Sequence, residues 1–500
     1  MAMGVARQDS DRHLAQPGRA RGRPRKMGGY PVRLLASAVS GPVQTGLSDR
    51  SPGPGLAPAT LADDDEQAPG AGQGKGRSSS DERPAAYDWY VLIVLTVIFL
   101  LASVDRSLVS VVMEPIRHEF GLTDAQLGFL AGLAFGIPYA LASLPFGLLI
   151  DRINRRKFLA GMLALWSLLT GLCGLAQSYV QLVLLRMLVG VAEAGFPAAQ
   201  SMISDYFPAR RRPMALGVFM SGGSVAFVLS FALGGWFADE WGWRTVFFAA
   251  GPPGLLIALL FYLTVREPER GRMDGPSSKA DPDAPSFWQA MRFLMSSPAF
   301  RHLFIGYALV AATTSSFWSW IGSLLIRVHG LEVREAGLYI AFGAGVFGFV
   351  GALLGAVATG YLGRRGLRPV LTFVASMAVL LSPFGIAMAL APTLQAVIAC
   401  MVVTSILKSC YTGPAQGIIL SLAKTRMRGV AASLVNVAGT LLGFGVGPLL
   451  AGAISYFLGG GSSIRYGLAA LFLMNIWAGL HFWMARRTVE EEVRVARAEI

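Results

Sequence analysis

Two apolar runs of helix length are separated by the stretch Gly147-Leu-Leu-Ile-Asp151-Arg152-Ile-Asn-Arg155-Arg156-Lys157. Five of the seven residues from Asp151 to Lys157 are charged, and charges at this density are not accommodated in hydrocarbon. Four of the five are basic, which is typical of a loop on the cytoplasmic side of a membrane. The stretch therefore predicts a tight cytoplasmic turn between two membrane-spanning helices.

The composition excludes a water-soluble globular protein. Of the 500 residues, 53% are hydrophobic and 15% are charged, whereas soluble proteins carry about 25% charged residues. The net charge of +13 is what basic loops and a basic tail add up to. The three cysteines, Cys173, Cys400 and Cys410, all fall in apolar runs, which argues against a disulfide framework. We therefore predict an all-α polytopic membrane protein.

Twelve apolar runs follow from Trp89 onward, each near the ~20 residues that a helix needs to cross a bilayer. Basic residues cluster in alternate loops, so both termini are expected on the cytoplasmic side of the cell inner membrane. The predicted spans cover residues 89–112, 124–149, 157–177, 179–203, 213–238, 244–265, 299–325, 334–360, 369–391, 394–421, 428–457 and 465–485.

A charged connector between the sixth and seventh spans divides the chain into two sets of six. The second part of the connector begins at Ser286, has the spacing of an amphipathic helix, and is expected to lie flat on the inner surface. The predicted segments are a disordered basic cytoplasmic tail (1–86), an N-terminal six-helix bundle (87–265), a cytoplasmic linker with an amphipathic helix (266–298), a C-terminal six-helix bundle (299–486) and a cytoplasmic tail (487–500).

Other function classes find little support in the sequence. The stretch from Arg21 to Lys26 resembles an AT-hook DNA binder, but on a membrane protein a basic tail is expected to contact lipid headgroups instead. No nucleic-acid partner is therefore predicted. The sequence has no cluster with metal-ligand spacing and no Ser-His-Asp or Cys-His arrangement, so we predict neither an enzyme nor a cofactor.

The two sets of six spans are related by a weak internal repeat. Gln126-Leu-Gly128 recurs as Glu335-Ala-Gly337, and Arg155-Arg156 recurs as Arg364-Arg365 at the same offset. Halves of this kind are related by an axis along the membrane normal, and substrate binds between them near mid-membrane. The repeat thus predicts a central substrate cavity independently of the charged loop.

Ionisable residues at membrane depth are the candidates for function, since each costs at least about 2.5 kcal/mol there unless it is paired or hydrated. Asp105 and Arg106 in the first span point about 100° apart, so one is expected to face the cavity and the other a neighbouring helix. The alternative for both is a structural ion pair across helices. Glu193, in the middle of the fourth span, is a candidate proton carrier or, alternatively, a static partner for an arginine. Arg186 lies seven residues earlier on the same helix face.

The tenth span carries a lysine near its centre, Lys408. By the repeat, Ser409 corresponds to Glu193, so Lys408 is expected across the cavity from that carboxylate. We hypothesise that Lys408 attracts an anionic headgroup or carboxylate of the substrate; the alternative is snorkelling to the interface. Aromatic and hydroxyl side chains near it would suit an amphipathic ligand, although they could equally face lipid. The further cavity candidates are Trp318, Tyr411, Thr412 and Gln416.

The charged loop resembles the loop between helices two and three of the major facilitator superfamily of secondary transporters. The stretches Asp105-Arg-Ser-Leu, Val189-Gly-Val-Ala-Glu-Ala-Gly195 and Gly242-Trp-Arg244 resemble the Spinster branch of that superfamily. The resemblance implies two pseudo-symmetric six-helix bundles and alternating access. It also implies proton-coupled movement of lysophospholipids or sphingolipid-type amphiphiles, with Asp105, Arg106 and Glu193 at the charged positions of the family.

Two alternatives stay open at this stage. Several of the same stretches also look like the anion:cation symporters, which move organic acids and hexuronates. A non-transporting membrane receptor with the same fold is the alternative from another class. In each case we expect a small-molecule or lipid ligand and a monomeric protein.

The family resemblance further implies a gate at the charged loop, formed by Gly147, Asp151, Arg152, Arg155 and Arg156. In the second half, Gly360 and Tyr361 stand where Asp151 and Arg152 would be. The acidic charge is therefore present in only one half. Asp151 is expected to anchor the inner gate at a helix-end contact with the eleventh span and to stabilise the outward-open state.

Overall fold

The computed structural model describes residues 85–498 apart from Asp151, Ala209, 274–285 and 425–426. Almost all of the predicted tail 1–86, part of the linker and the end of the last segment lie outside the described residues. Within them every regular element is helical, and twelve helices are long and apolar enough to cross a membrane. The predicted all-α, twelve-span fold class is confirmed.

The observed spans follow the predicted ones closely, and we number them 1 to 12. They are Ala86–Val111, Asp124–Gly147, Arg155–Cys173, Tyr179–Tyr206, Arg212–Trp241, Trp243–Thr264, Pro298–His329, Val333–Gly363, Leu367–Leu390, Leu394–Ser421, Gly429–Phe457 and Gly461–Ala485.

Three shorter helices lie between or after the spans. Met113–Phe120 follows span 1, Phe287–Ser296 lies in the connector, and Val489–Ala498 follows span 12. The last helix was not anticipated within the predicted tail 487–500. Its Glu492 carboxylate accepts a bond from the Ala299 backbone N–H at 3.1 Å, so it caps the start of span 7.

Span 4 consists of two helices, Tyr179–Glu193 and Pro197–Tyr206. Pro197 has no N–H to donate to the carbonyl of Glu193 four residues earlier, so the first helix ends at that residue. Phe196 N–H bonds the Glu193 carbonyl at 3.3 Å instead. Glu193 therefore lies at a break in the backbone rather than within a continuous helix.

Spans 2, 8 and 11 are also irregular. Span 2 is interrupted at Gly132, where a Cβ atom would lie 2.3 Å from the carbonyl oxygen of Gly445 in span 11. Spans 8 and 11 contain the π-helical segments Ala341–Val346 and Ala438–Val446. Such wide turns are frequent at functional sites, and both segments lie where the two halves approach each other.

The halves meet at the face opposite the one at which span 1 begins; we call these the opposite face and the N-terminal face. A Cβ atom on Gly128 would lie 2.6 Å from the Pro448 carbonyl oxygen, and one on Gly337 would lie 2.2 Å from that of Phe231. These two glycines are equivalent positions of the sequence repeat. Spans 2 and 11, and spans 5 and 8, thus touch backbone to backbone.

We expect Gly337→Ala to lower the melting temperature of the purified protein, because the added methyl group forces spans 5 and 8 apart. Overpacking of this kind costs about 1–3 kcal/mol. The matched control is Gly161→Ala in span 3, where a Cβ atom meets nothing within 4 Å, and helix propensity alone predicts equal or greater stability. Equal melting temperatures for both variants would contradict the close approach.

Candidate functional site

Two ion pairs join span 1 to span 4 at membrane depth. Arg186 Nη1 donates to Asp105 Oδ2 at 2.8 Å, and Arg106 Nε donates to Glu193 Oε2 at 2.7 Å. Because Asp105 and Arg106 are consecutive, their side chains leave the helix in different directions. Each one therefore pairs with a different turn of span 4.

The Asp105–Arg186 pair lies inside the first half. The two side chains are 4% and 3% exposed, and Thr170 in span 3 donates to the second Asp105 oxygen at 2.5 Å. The Arg186 guanidinium also lies over the Phe135 ring, 5.5 Å from its centre. This arrangement ties spans 1, 3 and 4 together and is typical of a structural ion pair.

The Arg106–Glu193 pair lies at a cavity between the halves. The Arg106 side chain is 23% exposed whereas that of Glu193 is fully buried, and the second carboxylate oxygen of Glu193 has no hydrogen-bond partner within the part of the chain that the structure describes. Arg106 contacts the rings of Phe135, Tyr139 and Phe196, 5.5 to 5.9 Å from their centres. Arg106 is thus accessible to a ligand, whereas Glu193 is reached only through Arg106.

The cavity has a volume of about 270 Å³ and receives residues from both halves. Its wall alternates aromatic rings with hydroxyl groups, and Arg106 is its charged residue. The first half contributes Phe99, Ser103, Ser107, Ser110, Phe227 and Phe231, and the second half contributes Trp318, Ser319 and Phe444.

Lys408 lies behind one of these rings. Its ammonium nitrogen is 3.7 Å from the centre of the Trp318 ring, a cation–π distance. Among the described residues, no carboxylate forms an ion pair with it. Lys408 thus differs from Arg106 and Arg186, each of which has a carboxylate partner among the described residues.

The other residues proposed for span 10 lie away from the cavity wall. Tyr411 is buried in the second half, and its hydroxyl has no hydrogen-bond partner among the described residues. Thr412 donates to the Lys408 carbonyl at 2.7 Å within its own helix. Gln416 donates to the Tyr307 hydroxyl at 2.5 Å. None of these three side chains is among the residues that line this cavity, and their contact with a substrate stays a prediction.

The charged loop is held by its own half. Arg155 donates to Asp205 at 2.5 Å and to Glu267 at 2.9 Å, and Glu267 also accepts from the Arg156 backbone N–H at 2.7 Å. Arg152 is exposed, and Asp151 lies outside the described residues. The predicted contact of this loop with span 11 therefore stays a prediction.

Gly147, the first residue of the loop, faces the second half across an open cleft. The cleft measures about 150 Å³ and lies between spans 2 and 11 on the N-terminal side. Gly147 and Ser143 line one wall, and Ser433 and Asn436 line the other. The halves are thus less closely packed on this side than at the opposite face.

The sequence reasoning missed a cluster of buried charges at the opposite face. Arg327 of span 7 donates to Glu114 at 2.8 Å and to Asp124 at 2.7 Å. The second Asp124 oxygen accepts from Ser455 of span 11 at 2.5 Å. We call these four residues the opposite-face cluster. Because Arg327 and Ser455 belong to the second half and the carboxylates to the first, the cluster ties the halves together.

The Gly-Trp-Arg motif has a local role nearby. Trp243 Nε1 donates to Glu119 at 2.7 Å, and Arg244 donates to both oxygens of that carboxylate at 2.5 and 2.6 Å. The hydrogen bonds from Arg244, aided by the one from Trp243, lower the pKa of the Glu119 carboxyl against the effect of partial burial. The helix Met113–Phe120 is thereby fixed to the start of span 6.

The described residues form twelve spans in two repeated halves, with a cavity between the halves and a buried ion pair at its wall, an arrangement typical of a membrane transporter. The comparisons with known proteins agree. The chain belongs to the Major Facilitator Superfamily, whose family model matches residues 95–384, and solved structures support its Spinster-like branch.

Among solved structures, a bacterial homologue of the human lysosomal transporter Spinster, described as inward-facing and unoccupied, superimposes with a TM-score of 0.73. It is 28% identical, and the match covers 82% of this chain and 99% of that one. An MFS-type efflux pump of Mycolicibacterium smegmatis is 28% identical over 415 residues, 81% of this chain and 95% of the relative. A probable galactarate/D-glucarate transporter of Bacillus subtilis is 27% identical over 301 residues, 56% of this chain and 66% of the relative.

We expect Arg327→Gln to open the opposite face, because it leaves the buried carboxylates Glu114 and Asp124 without their cation from the other half. Breaking a buried pair costs about 3–5 kcal/mol. The measurement is labelling of Ser319→Cys in the cavity by an impermeant maleimide added at the opposite face, above the background of the native cysteines. The matched control, Arg334→Gln, changes an exposed arginine of the same face and should leave labelling low. Equal labelling in both variants would argue against a closing role for the cluster.

Proposed function

We propose that this protein is a proton-coupled secondary transporter that moves an amphipathic, lipid-like substrate with an anionic group by alternating access. The substrate class is of the lysophospholipid or sphingolipid type. The observation that carries the proposal is the Arg106–Glu193 pair, in which the cation lines the cavity and the carboxylate is buried behind it.

This geometry links substrate binding to protonation, because Arg106 is the counter-charge of Glu193 and also the residue that a substrate anion would bind. When a substrate anion forms an ion pair with the Arg106 guanidinium, Glu193 loses its counter-charge. An unpaired carboxylate is costly in this buried setting. A proton on Glu193 removes that cost, and its unpartnered oxygen leaves room for the added hydrogen. Substrate binding and proton uptake therefore favour each other. Asp105 is the second proposed coupling residue, acting through its contact with Arg186 rather than at the cavity.

The wall of the cavity supports an amphipathic ligand. Aromatic rings provide apolar surface, serine hydroxyls provide weak polar contacts, and Arg106 provides a charge. Lys408 lies behind the Trp318 ring of the opposite wall and supplies a second basic group close to the cavity. An anionic headgroup between these two cations, with its apolar part along the rings, fits this distribution.

A compact organic anion such as a sugar acid is the second candidate. The cavity volume of about 270 Å³ lies just below the ~300–1,000 Å³ that is usual for small-molecule sites, which suits a short dianion. The likeness to a probable galactarate/D-glucarate transporter points the same way. Proteoliposome uptake of a lysophospholipid and of a hexuronate under an imposed pH gradient distinguishes the two. Absence of flux for either, with binding retained, would favour a receptor.

We also propose that the N-terminal face is cytoplasmic and that the protein lies in the cell inner membrane with both termini inside. Arg155 and Arg156 at the start of span 3, and Arg364 and Arg365 directly after span 8, support this orientation. The conformation, closed at the opposite face, then corresponds to an inward-facing state.

Glu193→Gln is expected to abolish flux driven by a pH gradient while sparing counterflow exchange of substrate. The amide resembles the protonated carboxyl in shape and charge, so the transport cycle proceeds but carries no proton. Both rates are measured in the same proteoliposomes, with Glu240→Gln, an exposed carboxylate, as control. Gradient-driven flux at the wild-type rate in Glu193→Gln would refute coupling through this residue.

Lys408→Ala is expected to raise the KM for an anionic substrate about tenfold, the usual value of one charged contact, and to leave that for an uncharged analogue unchanged. Lys157→Ala, at an exposed lysine outside the cavity, serves as the matched control. Unchanged affinity of Lys408→Ala for the anion would exclude a substrate contact at this position.

A further inference from the structure

A second cavity lies entirely within the first half, between spans 1, 3, 5 and 6. It measures about 200 Å³ and shares no lining residue with the cavity between the halves. Apolar side chains form most of its wall. Asp105 is its charged lining residue, so the carboxylate that pairs with Arg186 is also reached from this side.

The mouth of this cavity faces the bilayer. Leu229 and Leu233 of span 5 line it and are 37% and 48% exposed. Phe227 and Phe231, two residues before each of them, line the central cavity instead. Two residues correspond to about 200° of helix rotation, so the leucines are on the outer surface of span 5. A molecule dissolved in the bilayer therefore has access to the cavity without passing through the transport route.

Two groups that line this cavity, the Asp105 carboxylate and the Ala249 carbonyl, are hydrogen-bond acceptors with unused capacity. Asp105 accepts one bond from Thr170 and one from Arg186, whereas an ionised carboxylate has about four acceptor positions. Pro253 has no N–H, so the Ala249 carbonyl lacks its usual helical partner, and both residues line the cavity. The Ser230 hydroxyl already donates to the Ala226 carbonyl at 2.7 Å. A ligand that brings a donor can therefore bond Asp105, and the Ser167 hydroxyl, which also lines the cavity, can donate to the same ligand group.

The charge balance around Asp105 also limits the class of ligand that the cavity accepts. Asp105 is already neutralised by Arg186 at 2.8 Å, and no other charged side chain lines the described cavity. A second cation would be unbalanced in an apolar setting, which is costly. An uncharged hydroxyl group satisfies the acceptors without adding charge.

We propose that this cavity binds an uncharged, bilayer-soluble amphiphile of the long-chain alcohol type, with its hydroxyl group donating to Asp105 and its chain leaving between Leu229 and Leu233. At the cavity wall, Gly254 lets span 6 pack closely against span 3, since a Cβ atom there would lie 2.0 Å from the Ser167 hydroxyl oxygen. The proposal rests on the cavity alone and does not depend on the transported substrate or on proton coupling.

The test is photolabelling of the full-length protein in lipid nanodiscs with a diazirine derivative of 1-octanol, followed by mass spectrometry of peptides from spans 5 and 6. We expect saturable labelling that excess 1-octanol displaces. The methyl ether of the same probe has no donor and should label about tenfold more weakly, the effect of one hydrogen bond to a charged group. Equal labelling by alcohol and ether would show apolar filling only and would overturn the proposal, as would labelling that does not saturate.

Leu233→Trp closes the mouth and should abolish the saturable labelling. Leu256→Trp, an equally large change at a lipid-exposed residue of span 6 outside the cavity, should retain it. Should Leu233→Trp not fold, as judged by its melting temperature, Ala250→Phe fills the cavity from span 6 and has the same expected effect. Undiminished labelling in a folded, filled variant would place the alcohol elsewhere.

Discussion

A charged side chain in the middle of a membrane is costly unless it is paired or hydrated, and pairing organises the first half of the protein. Span 1 presents Asp105 and Arg106 in succession, and span 4 supplies one partner for each. Because the two side chains diverge, the pairs are not interchangeable. One is enclosed by spans 1, 3 and 4, whereas the other reaches the central cavity. A single dipeptide thus provides one enclosed ion pair and one ion pair whose cation lines the cavity.

Closure at the opposite face depends on contacts of two different kinds. Gly128 of span 2 and Gly337 of span 8 permit backbone contact between the halves. The attraction between backbones in such a contact acts only over very short distances. The opposite-face cluster adds charged hydrogen bonds across the same interface, from Arg327 to Glu114 and Asp124. Separation of the halves would break both together, because the same spans carry them. The interface is therefore expected to open as a unit rather than by gradual loosening.

Much of the fold could be predicted from the sequence, because hydrophobic length and loop charge report directly on membrane crossing. The repeat even indicated Gly128 and Gly337 as equivalent, and both proved to lie at contacts between the halves. The sequence did not indicate which charged residues would pair with each other. Pairing depends on the rotation and tilt of the helices, which the periodicity of the sequence does not determine. Arg186 and Glu193 both bond span 1, but the sequence did not indicate which of Asp105 and Arg106 each of them would meet.

The opposite-face cluster was missed for a related reason. Glu114, Asp124 and Arg327 lie at span ends, where charges are ordinary and carry no signal of their own. Their significance comes from burial at an interface between segments about 200 residues apart, which no local pattern encodes. The same holds for Tyr411 and Gln416, whose position on a polar stretch of span 10 did not indicate which neighbours they would meet.

The asymmetry of the two halves has a physical consequence for the proposed cycle. In the first half, Glu193 has a cation beside it. At the corresponding depth in the second half, Lys408 has an aromatic ring and no described carboxylate. A ring stabilises a cation far less than a carboxylate does, so Lys408 stands to gain more from an incoming anion than Arg106 does. An anion drawn to Lys408 and bridging to Arg106 would release Glu193 as the halves close around it. In this cycle, Lys408 of the second half attracts the substrate, and Glu193 of the first half responds by taking up a proton. Neither half has to perform both tasks.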